Sequence, residues 1–331
     1  MRIGFRVDAS REIGIGHLIR CLALSEELKK RGHKCYILSE INNEITTNKI
    51  KEFQVEFYQI NGLEDLITFS KEKSIDWIIT DCYNLTSDYI KKLKENFKVL
   101  SIDDNAIINY YSDLVVNQNI GAEKVSYSSE NYTKFLLGTQ YVMLRDALLK
   151  RDEKKEKDKV EKILITLGGA DKDNFTFKIL KTIKTINENI EVIAIIGPFN
   201  TFYKTFEEYI KDTNSNIKLI KSPDNMADFY FESDIAISAG GTSCYELAYY
   251  GIPNLIITIA KNQLNIAKEL EDQGISIYIG DKKDVESEKI KEKIKELINN
   301  HSLRKNMGLN GRKIVDGQGK KRIIDVMESY N

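Results

Sequence analysis

Arg2-Ile3-Gly4-Phe5-Arg6-Val7-Asp8-Ala9-Ser10-Arg11-Glu12-Ile13-Gly14-Ile15-Gly16-His17 is the stretch whose reading decides the fold. Arg2 to Val7 reads as a short apolar strand, and Asp8 to Glu12 as a polar turn leading into the glycines. A helical period follows from His17 to Arg31, with Leu18, Cys21, Leu22, Ser25 and Leu28 on one face and Gly32 as a stop signal. Strand, glycine-rich turn and helix start together make an anion-binding device, because unpaired backbone N–H groups and the helix dipole point at the turn. The positive end of that dipole disfavours a further positive charge, which suits a histidine placed there as a general base. A lone histidine at a helix start also serves as a polar cap, and a Gly-x-Gly after a first strand is shared by many nucleotide-binding folds. The rest of the chain has to choose between these.

Working outward, the pattern repeats. Strands are expected at Ile3–Val7, Cys35–Leu38, Val55–Tyr58, Trp77–Thr80, Val99–Ile102 and Leu114–Val116, with helices near 17–31, 42–52, 63–73 and 86–96. A run of ten charged residues, Lys150 to Lys159, has no apolar side chain to give a core and reads as a linker. The alternation then restarts, with strands at Ile163–Leu167, Val192–Ile196, Ile217–Ile220, Ile235–Ser238, Asn254–Ile257 and Ser276–Ile279. Helices between them fall near 173–186, 202–212, 224–232, 243–250 and 262–273. Alternation of this kind predicts an α/β protein: two Rossmann-like, doubly wound domains facing a cleft, with ligands at the carboxyl ends of the strands. The expected division is residues 1–149, a linker at 150–159, and residues 160–331 with a helical tail. That tail, from Ser287 to Tyr330, reads as two helices, with breaks near Asn299-Asn300-His301 and around Asp316-Gly317-Gln318-Gly319.

Composition bounds the function. A length of 331 residues suits two domains of about 150 each. The net charge of −1, with signs alternating along the chain, argues against a nucleic-acid or membrane surface. The chain opens directly on a strand, so no signal peptide is expected, and no apolar run approaches a membrane span. Cys21, Cys35, Cys82 and Cys244 are scattered without a CxxC pair, and the histidines are His17, His33 and His301. This usage predicts a reduced, cytoplasmic protein without a zinc site.

The second half offers a stronger anion site than the first. Asp234 to Ser238 is a buried-strand pattern, Ala239-Gly240-Gly241-Thr242-Ser243 is a turn, and Cys244 to Tyr250 is a helix closed by Gly251-Ile252-Pro253. Glycines let backbone approach a diphosphate, while Thr242 and Ser243 add hydroxyls at the helix start. Glu246 suits two ribose hydroxyls, although Ser243-x-x-Glu246 equally fits a capping box. Asn262-Gln263 opens the next helix, and Gly168-Gly169-Ala170-Asp171 lies at another strand end. Each pair either touches phosphate or sugar or serves as an ordinary cap or turn. In the first half, Asp81-Cys82-Tyr83 and Asp103-Asp104 follow apolar strands. Paired aspartates there can hold a metal, orient a histidine or cap turns. With no third ligand at a telling spacing, no metal is expected.

Taken in order, these segments resemble a known family. Phe5 to Ser10, Ile13 to His17, Arg20, Asp81-Cys82-Tyr83, Ser101 to Asp104, Leu167 to Asp171, Ser243 to Glu246 and Asn262-Gln263 are similar to the UDP-2,4-diacetamido-2,4,6-trideoxy-β-L-altropyranose hydrolases of pseudaminic acid biosynthesis, which are related to spore-coat polysaccharide proteins. The likeness covers about residues 1 to 280. It implies a two-domain fold of the GT-B type with the nucleotide held mainly by the C-terminal domain. It also implies a metal- and cofactor-independent hydrolase that cleaves the sugar C1–O bond of a UDP-sugar with inversion. Carried over by segment, His17 activates water and Tyr83 helps orient water or substrate. Gly168, Gly169, Gly240, Gly241, Thr242, Ser243 and Glu246 face UDP. Asp8, Gly16, Arg20, Asp104, Asn262 and Gln263 face the sugar or diphosphate. The expected partner is a small UDP-sugar, with the protein acting as a monomer. Two rivals stand beside this: a GT-B-type UDP-sugar glycosyltransferase, which needs an acceptor groove, and a non-catalytic nucleotide-sugar binding protein. A nicotinamide dehydrogenase is disfavoured, because His17, Leu18 and Ile19 follow Gly16 where the full G-x-G-x-x-G needs a third glycine.

Overall fold

The computed structural model describes residues 1–149, 157–186, 189–213 and 216–330. The chain divides into two compact units: Met1–Asp146 together with Gly317–Asn331, and Ala147–Asp316.

In the first unit the strands are β1 (Arg2–Val7), β2 (Lys34–Ser39), β3 (Glu56–Gln59), β4 (Trp77–Asp81), β5 (Lys98–Ile102), β6 (Asn109–Tyr110), β7 (Leu114–Asn117), β8 (Ser128–Ser129) and β9 (Lys134–Leu137). Seven of them form a parallel sheet in the order β3-β2-β1-β4-β5-β7-β9, and β6 pairs with β8 apart from it. Helices α1 (Gly16–Lys30), α2 (Glu44–Glu52), α3 (Leu63–Glu72) and α4 (Ser87–Lys94) supply the crossovers. The central strands are buried and mostly apolar because helices cover both faces of the sheet. Ile3, Phe5 and Val7 of β1 pack with Leu18, Cys21 and Leu22 of α1, while Leu38, Ile78 and Val99 pack with Leu66 and Ile90 on the other face. Gly14, at φ +87°, turns the chain back so that its N–H meets the Ser10 carbonyl at 2.8 Å, and α1 starts two residues later. Six residues separate β5 from β6, and β6, β8 and β9 are too short or too polar to read as strands from sequence alone.

The second unit follows α5 (Asp146–Leu149), the short helix at the division. Its strands are β10 (Lys162–Thr166), β11 (Glu191–Ile196), β12 (Ile217–Lys221), β13 (Ile235–Ala239), β14 (Asn254–Thr258) and β15 (Ser276–Asp281). They form a parallel sheet in the order β12-β11-β10-β13-β14-β15. The helices are α6 (Phe175–Lys184), α7 (Tyr203–Thr213), α8 (Ala227–Glu232), α9 (Ser243–Tyr250), α10 (Leu264–Asp272), α11 (Ser287–Asn299) and α12 (His301–Ile314).

The tail differs from expectation. It forms three helices, the last being α13 (Gly319–Glu328), and α13 belongs to the first unit rather than the second. Its Ile323, Ile324 and Met327 enter the core beside α1, which is why α1 is buried over nearly its whole surface rather than on one face. Arg31 bonds Asp325 and Glu328, and His33 bonds Glu328, so polar contacts hold the docked helix as well. Of the expected linker, residues 150–156 lie outside the described residues. Lys157 and Asp158 are fixed by their carbonyls, which accept from the buried Arg304 at 3.2 and 2.6 Å.

Among the described residues, no helix is long and apolar enough to cross a membrane. The four cysteines are free thiols.

Candidate active site

Each sheet has one point where the chain stops adding strands on one side and resumes on the other. In the first unit this point lies between β1 and β4, and in the second between β10 and β13. Crevices at such switch points are where open α/β sheets bind ligands. His17 at the start of α1, Asp81 at the end of β4 and Tyr83 just after it stand at the first switch point. At the second, the loops after β10 and β13 carry Gly168-Gly169 and Gly240 to Ser243.

In the first unit, strand register sets Val7 beside Asp81, and the turn after Val7 returns α1 over the strand ends. His17, in the first turn of α1, is 9% exposed, with Nδ1 2.5 Å from the Asp81 carboxylate. Arg20, one turn further along, reaches two carboxylates at once. Its Nε and Nη2 bond Asp81 at 2.6 Å each, and its Nη1 and Nη2 bond Asp104 at 2.9 Å each. Both Nη2 protons are thus committed to carboxylates, although Nη2 also lies 3.0 Å from His17 Nδ1. An ionised carboxylate only accepts, so the network directs the Nδ1 proton to the bond with Asp81, and in the neutral ring Nε2 is then the acceptor. That is the tautomer a general base needs.

The charges are mutually dependent. Burial opposes ionisation of Asp81, but the Arg20 guanidinium, and then His17, hold its carboxyl well below the usual range. Asp104 is likewise lowered, against burial, chiefly by Arg20. Burial opposes the charge on Arg20 as well, and Asp104 and Asp81 outweigh it. The positive charge between the two aspartates is therefore the guanidinium itself. Tyr83 closes the cluster: its ring meets the His17 ring edge-on at 4.5 Å, and its hydroxyl donates to Asp104 at 3.2 Å. Asn119, after β7, donates to Asp104 at 2.8 Å.

The first unit thus brings His17, Arg20, Tyr83 and Asp104 together, and adds Asp81 and Asn119. Asp8 is engaged elsewhere. It pairs with Arg6 at 2.7 Å and accepts from the Ser39 hydroxyl and the Glu40 N–H. Burial resists its ionisation, but Arg6 and these donors hold its carboxyl below the usual range. Gly16 is the first residue of α1, and nothing lies within 4 Å of where its side chain would be. Asp103 accepts the N–H groups of Asn105 and Ala106, an ordinary turn task.

In the second unit the switch point is lined by backbone. Gly240 is held by close approach: a side chain there would sit 2.9 Å from Gln263 Cβ and 3.0 Å from its carbonyl oxygen. Gln263 in turn accepts the Ile259 N–H at 2.8 Å, so its amide shapes the loop that presses on the glycines, and Asn262 lies in the same short 3-10 turn. Gly169 accepts from the Phe199 N–H at 2.9 Å, bracing the other side. Asp171 accepts the N–H groups of Phe175 and Thr176 and so caps α6.

The capping box read from Ser243 and Glu246 is not formed. Thr242 precedes α9 without making a side-chain cap, and Glu246 accepts a 2.5 Å bond from the Tyr230 hydroxyl instead. The first-turn N–H groups of α9 are therefore not masked by a side-chain cap, and the carboxylate is steered by α8. Tyr230 carries no local signal, since its partner lies sixteen residues on.

Comparisons with known proteins bear on both units. A Methanocaldococcus jannaschii protein described as uncharacterized is 28% identical over 80% of this chain, which spans only 56% of that relative. The spore coat polysaccharide biosynthesis protein SpsG of Bacillus subtilis is 26% identical over 99% of this chain and 98% of its own. A UDP-2,4-diacetamido-2,4,6-trideoxy-β-L-altropyranose hydrolase of Campylobacter jejuni is 26% identical over 84% of this chain and 98% of its own. The crystal structure of MurG from Acinetobacter baumannii superposes with a TM-score of 0.71 at 16% identity, covering 99% of both chains, a likeness of fold of the GT-B type. Residues 139–325, more than half of the chain, match the glycosyltransferase family 28 C-terminal domain, and by that match the chain belongs to this family.

Proposed function

We propose that the protein hydrolyses a UDP-linked 2,4-diacetamido-2,4,6-trideoxy hexose to UDP and the free sugar, in nonulosonic acid or surface polysaccharide synthesis. The observation that carries this reading is the His17–Asp81 pair, with the Nδ1 proton pinned and Nε2 turned over to proton acceptance. In the reaction, Nε2 takes a proton as water attacks the anomeric carbon, and the Asp81 carboxylate stabilises the imidazolium that forms. The C1–O electron pair leaves with UDP, on the face opposite the incoming water, so the anomeric centre inverts. Charge develops on the diphosphate as the bond breaks. Backbone N–H groups at the start of α9 suit it most at that moment, because they are fixed in advance. Glu246, steered by Tyr230, accepts from ribose hydroxyls. The names of the Bacillus and Campylobacter relatives support a sugar-nucleotide substrate and a polysaccharide-building role.

The second reading is a UDP-sugar glycosyltransferase, favoured by the likeness to MurG. The two part on a single assay, UDP release without acceptor. Turnover in water supports hydrolysis, and turnover only with an added sugar acceptor sinks it. Within the hydrolase reading, His17→Asn lowers turnover by about 10²-fold or more while UDP binding persists, the scale of losing a general base. A variant that kept most of its rate would remove His17 from the chemistry. If UDP binds but neither assay gives turnover, the protein is a binding module.

A further inference from the structure

We propose that Asp104 is the counter-charge that lets His17 take a proton, a positioning residue that acts through Arg20 and touches no substrate. This rests on the hydrolase reading and adds to it what sets the strength of the base. A carboxylate offers about four acceptor sites, two on each oxygen. Asp104 Oδ1 accepts from Arg20 Nη1 at 2.9 Å and from the Asn119 amide at 2.8 Å. Its Oδ2 accepts from Arg20 Nη2 at 2.9 Å and from the Tyr83 hydroxyl at 3.2 Å. These donors take up the acceptor sites, and none is left for a sugar hydroxyl. What Asp104 has to offer is its charge.

A histidine–aspartate pair alone carries one negative charge, which the imidazolium cancels. Here Arg20 Nε and Nη2 reach the same carboxylate at 2.6 Å each, and Nη2 lies 3.0 Å from His17 Nδ1. That guanidinium by itself cancels Asp81 and sets one positive charge against a second on the ring. Asp104, held ionised by Arg20 against its burial, restores the balance. The cluster then carries one negative charge while His17 is neutral, and none once the ring is protonated. The side chains of Arg20, Asp81 and Asp104 are 6%, 1% and 12% exposed, so water and salt screen these charges little. The other ionisable groups packed around the cluster leave that balance in place. The Cys21 thiol from α1 donates toward Asp81 at 3.5 Å, and burial holds it protonated. Burial likewise pushes the Cys82 thiol up to about 12. Tyr83 donates as a neutral hydroxyl. Asp103, after β5, is turned to the N–H groups of Asn105 and Ala106.

Asp104→Asn leaves the guanidinium uncompensated. The acid limb of the kcat/KM profile for UDP release is then expected to move down by about one pH unit, the low end for a nearby charge. The kcat plateau is expected to fall about 3- to 10-fold, because a weaker base takes the proton less readily, while KM holds. Arg20→Gln is expected to move the limb the opposite way. The double variant, Arg20→Gln with Asp104→Asn, has the wild-type charge and is expected to bring the limb back. Structural damage lowers rates in all three and does not reverse the direction of a limb. Carbon-13 NMR of histidine-labelled protein, with the His17 signal identified by its loss in His17→Asn, follows the same order without turnover. If neither the limb nor the His17 signal moves in Asp104→Asn and Arg20→Gln, the counter-charge is overturned and the hydrolase stands on its UDP release. A raised KM with an unmoved limb overturns it too, and makes Asp104 a contact of the sugar. Should Asp104→Asn fail to fold, the upward shift in Arg20→Gln decides. The ordered NMR shifts in a protein that releases no UDP keep the counter-charge and sink the hydrolase reading.

Discussion

The two units answer one topological problem with different materials. Each has a parallel sheet whose strand order turns about its first strand, and each presents two loops at that switch point. In the first unit the crevice is filled by ionisable side chains: His17, Arg20, Asp81 and Asp104 are all at least half-buried and joined in one hydrogen-bonded cluster. In the second it is lined by main chain, with Gly240 pressed by Gln263 and α9 beginning without a side-chain cap. Side-chain charges can gain and lose protons, and fixed backbone dipoles can only attract. Under the proposed function, proton transfer falls to the first unit and anion holding to the second.

The strongest way to break this contrast is at Asp81. Asparagine there accepts from only one oxygen and turns an amide donor toward His17 or Arg20, both of which already donate. Asp81→Asn is expected to cost about 3–5 kcal/mol, the scale of leaving a buried charge without its partner. It should also lower turnover by about 10²-fold or more through loss of the fixed tautomer. Urea unfolding and steady-state UDP release measure the two effects separately. A stable, fully active variant would make the cluster ornamental.

Acid offers a milder route to the same cluster. Asp81 and Asp104 have folded-state pKa values below their unfolded ones. Their contribution to stability is therefore fully present above the ordinary carboxylate range, about pH 4–5, and is lost as pH falls through it toward the folded values. Denaturation midpoints should hold from pH 7 to about 5 and then fall. Asp81→Asn should flatten that fall, and an unchanged slope would show that other carboxylates govern it.

How much of this was legible in the sequence follows the same divide. The glycine turns and helix starts are local, so both switch points could be read from short stretches, His17 and Gly240 to Ser243 included. Long-range pairings could not. Asp81 stood after an apolar strand as a residue able to orient a histidine, but choosing it over Asp103 or Asp104 needs β4 beside β1, a fact of strand order. The family resemblance places Arg20 against sugar or diphosphate. The structure gives its hydrogen bonds to two aspartates 61 and 84 residues away. The resemblance places Asp8 there as well, and in the structure it pairs with Arg6 and accepts from the Ser39 hydroxyl at the end of the neighbouring strand β2. The docking of α13 on α1 was beyond reach for the same reason: amphipathic spacing says that a face is apolar and not which core receives it.

On the backbone-lined side, the corresponding break is Gly240→Ala. The added carbon meets Gln263 at 2.9–3.0 Å, tighter than side chains tolerate, and part of that contact is main chain that cannot rotate away. A cost of about 1–3 kcal/mol is expected from overpacking, with a weaker grip on UDP as the 259–263 loop shifts. Calorimetric titration with UDP reads the second effect. The His17 cluster lies in the other unit, so the acid transition should be unmoved. Should UDP affinity survive while the loop is displaced, the diphosphate does not sit on this turn.

The smallest expected effect sharpens the contrast most, because it asks whether the first turn also works by backbone. Gly16 starts α1 without positive φ, and an added methyl meets nothing within 4 Å. Gly16→Ala should therefore leave the fold as stable as before or stabilise it by about 0.4–1 kcal/mol, through a less free unfolded chain. If the first switch point acts through His17 alone, kcat/KM should change by no more than about twofold, the scale of a substitution that touches nothing. A tenfold loss with stability intact would mean that phosphate or sugar comes within van der Waals reach of the Gly16 backbone. Both units would then hold the ligand by main chain, and the first would differ from the second only in carrying a base as well.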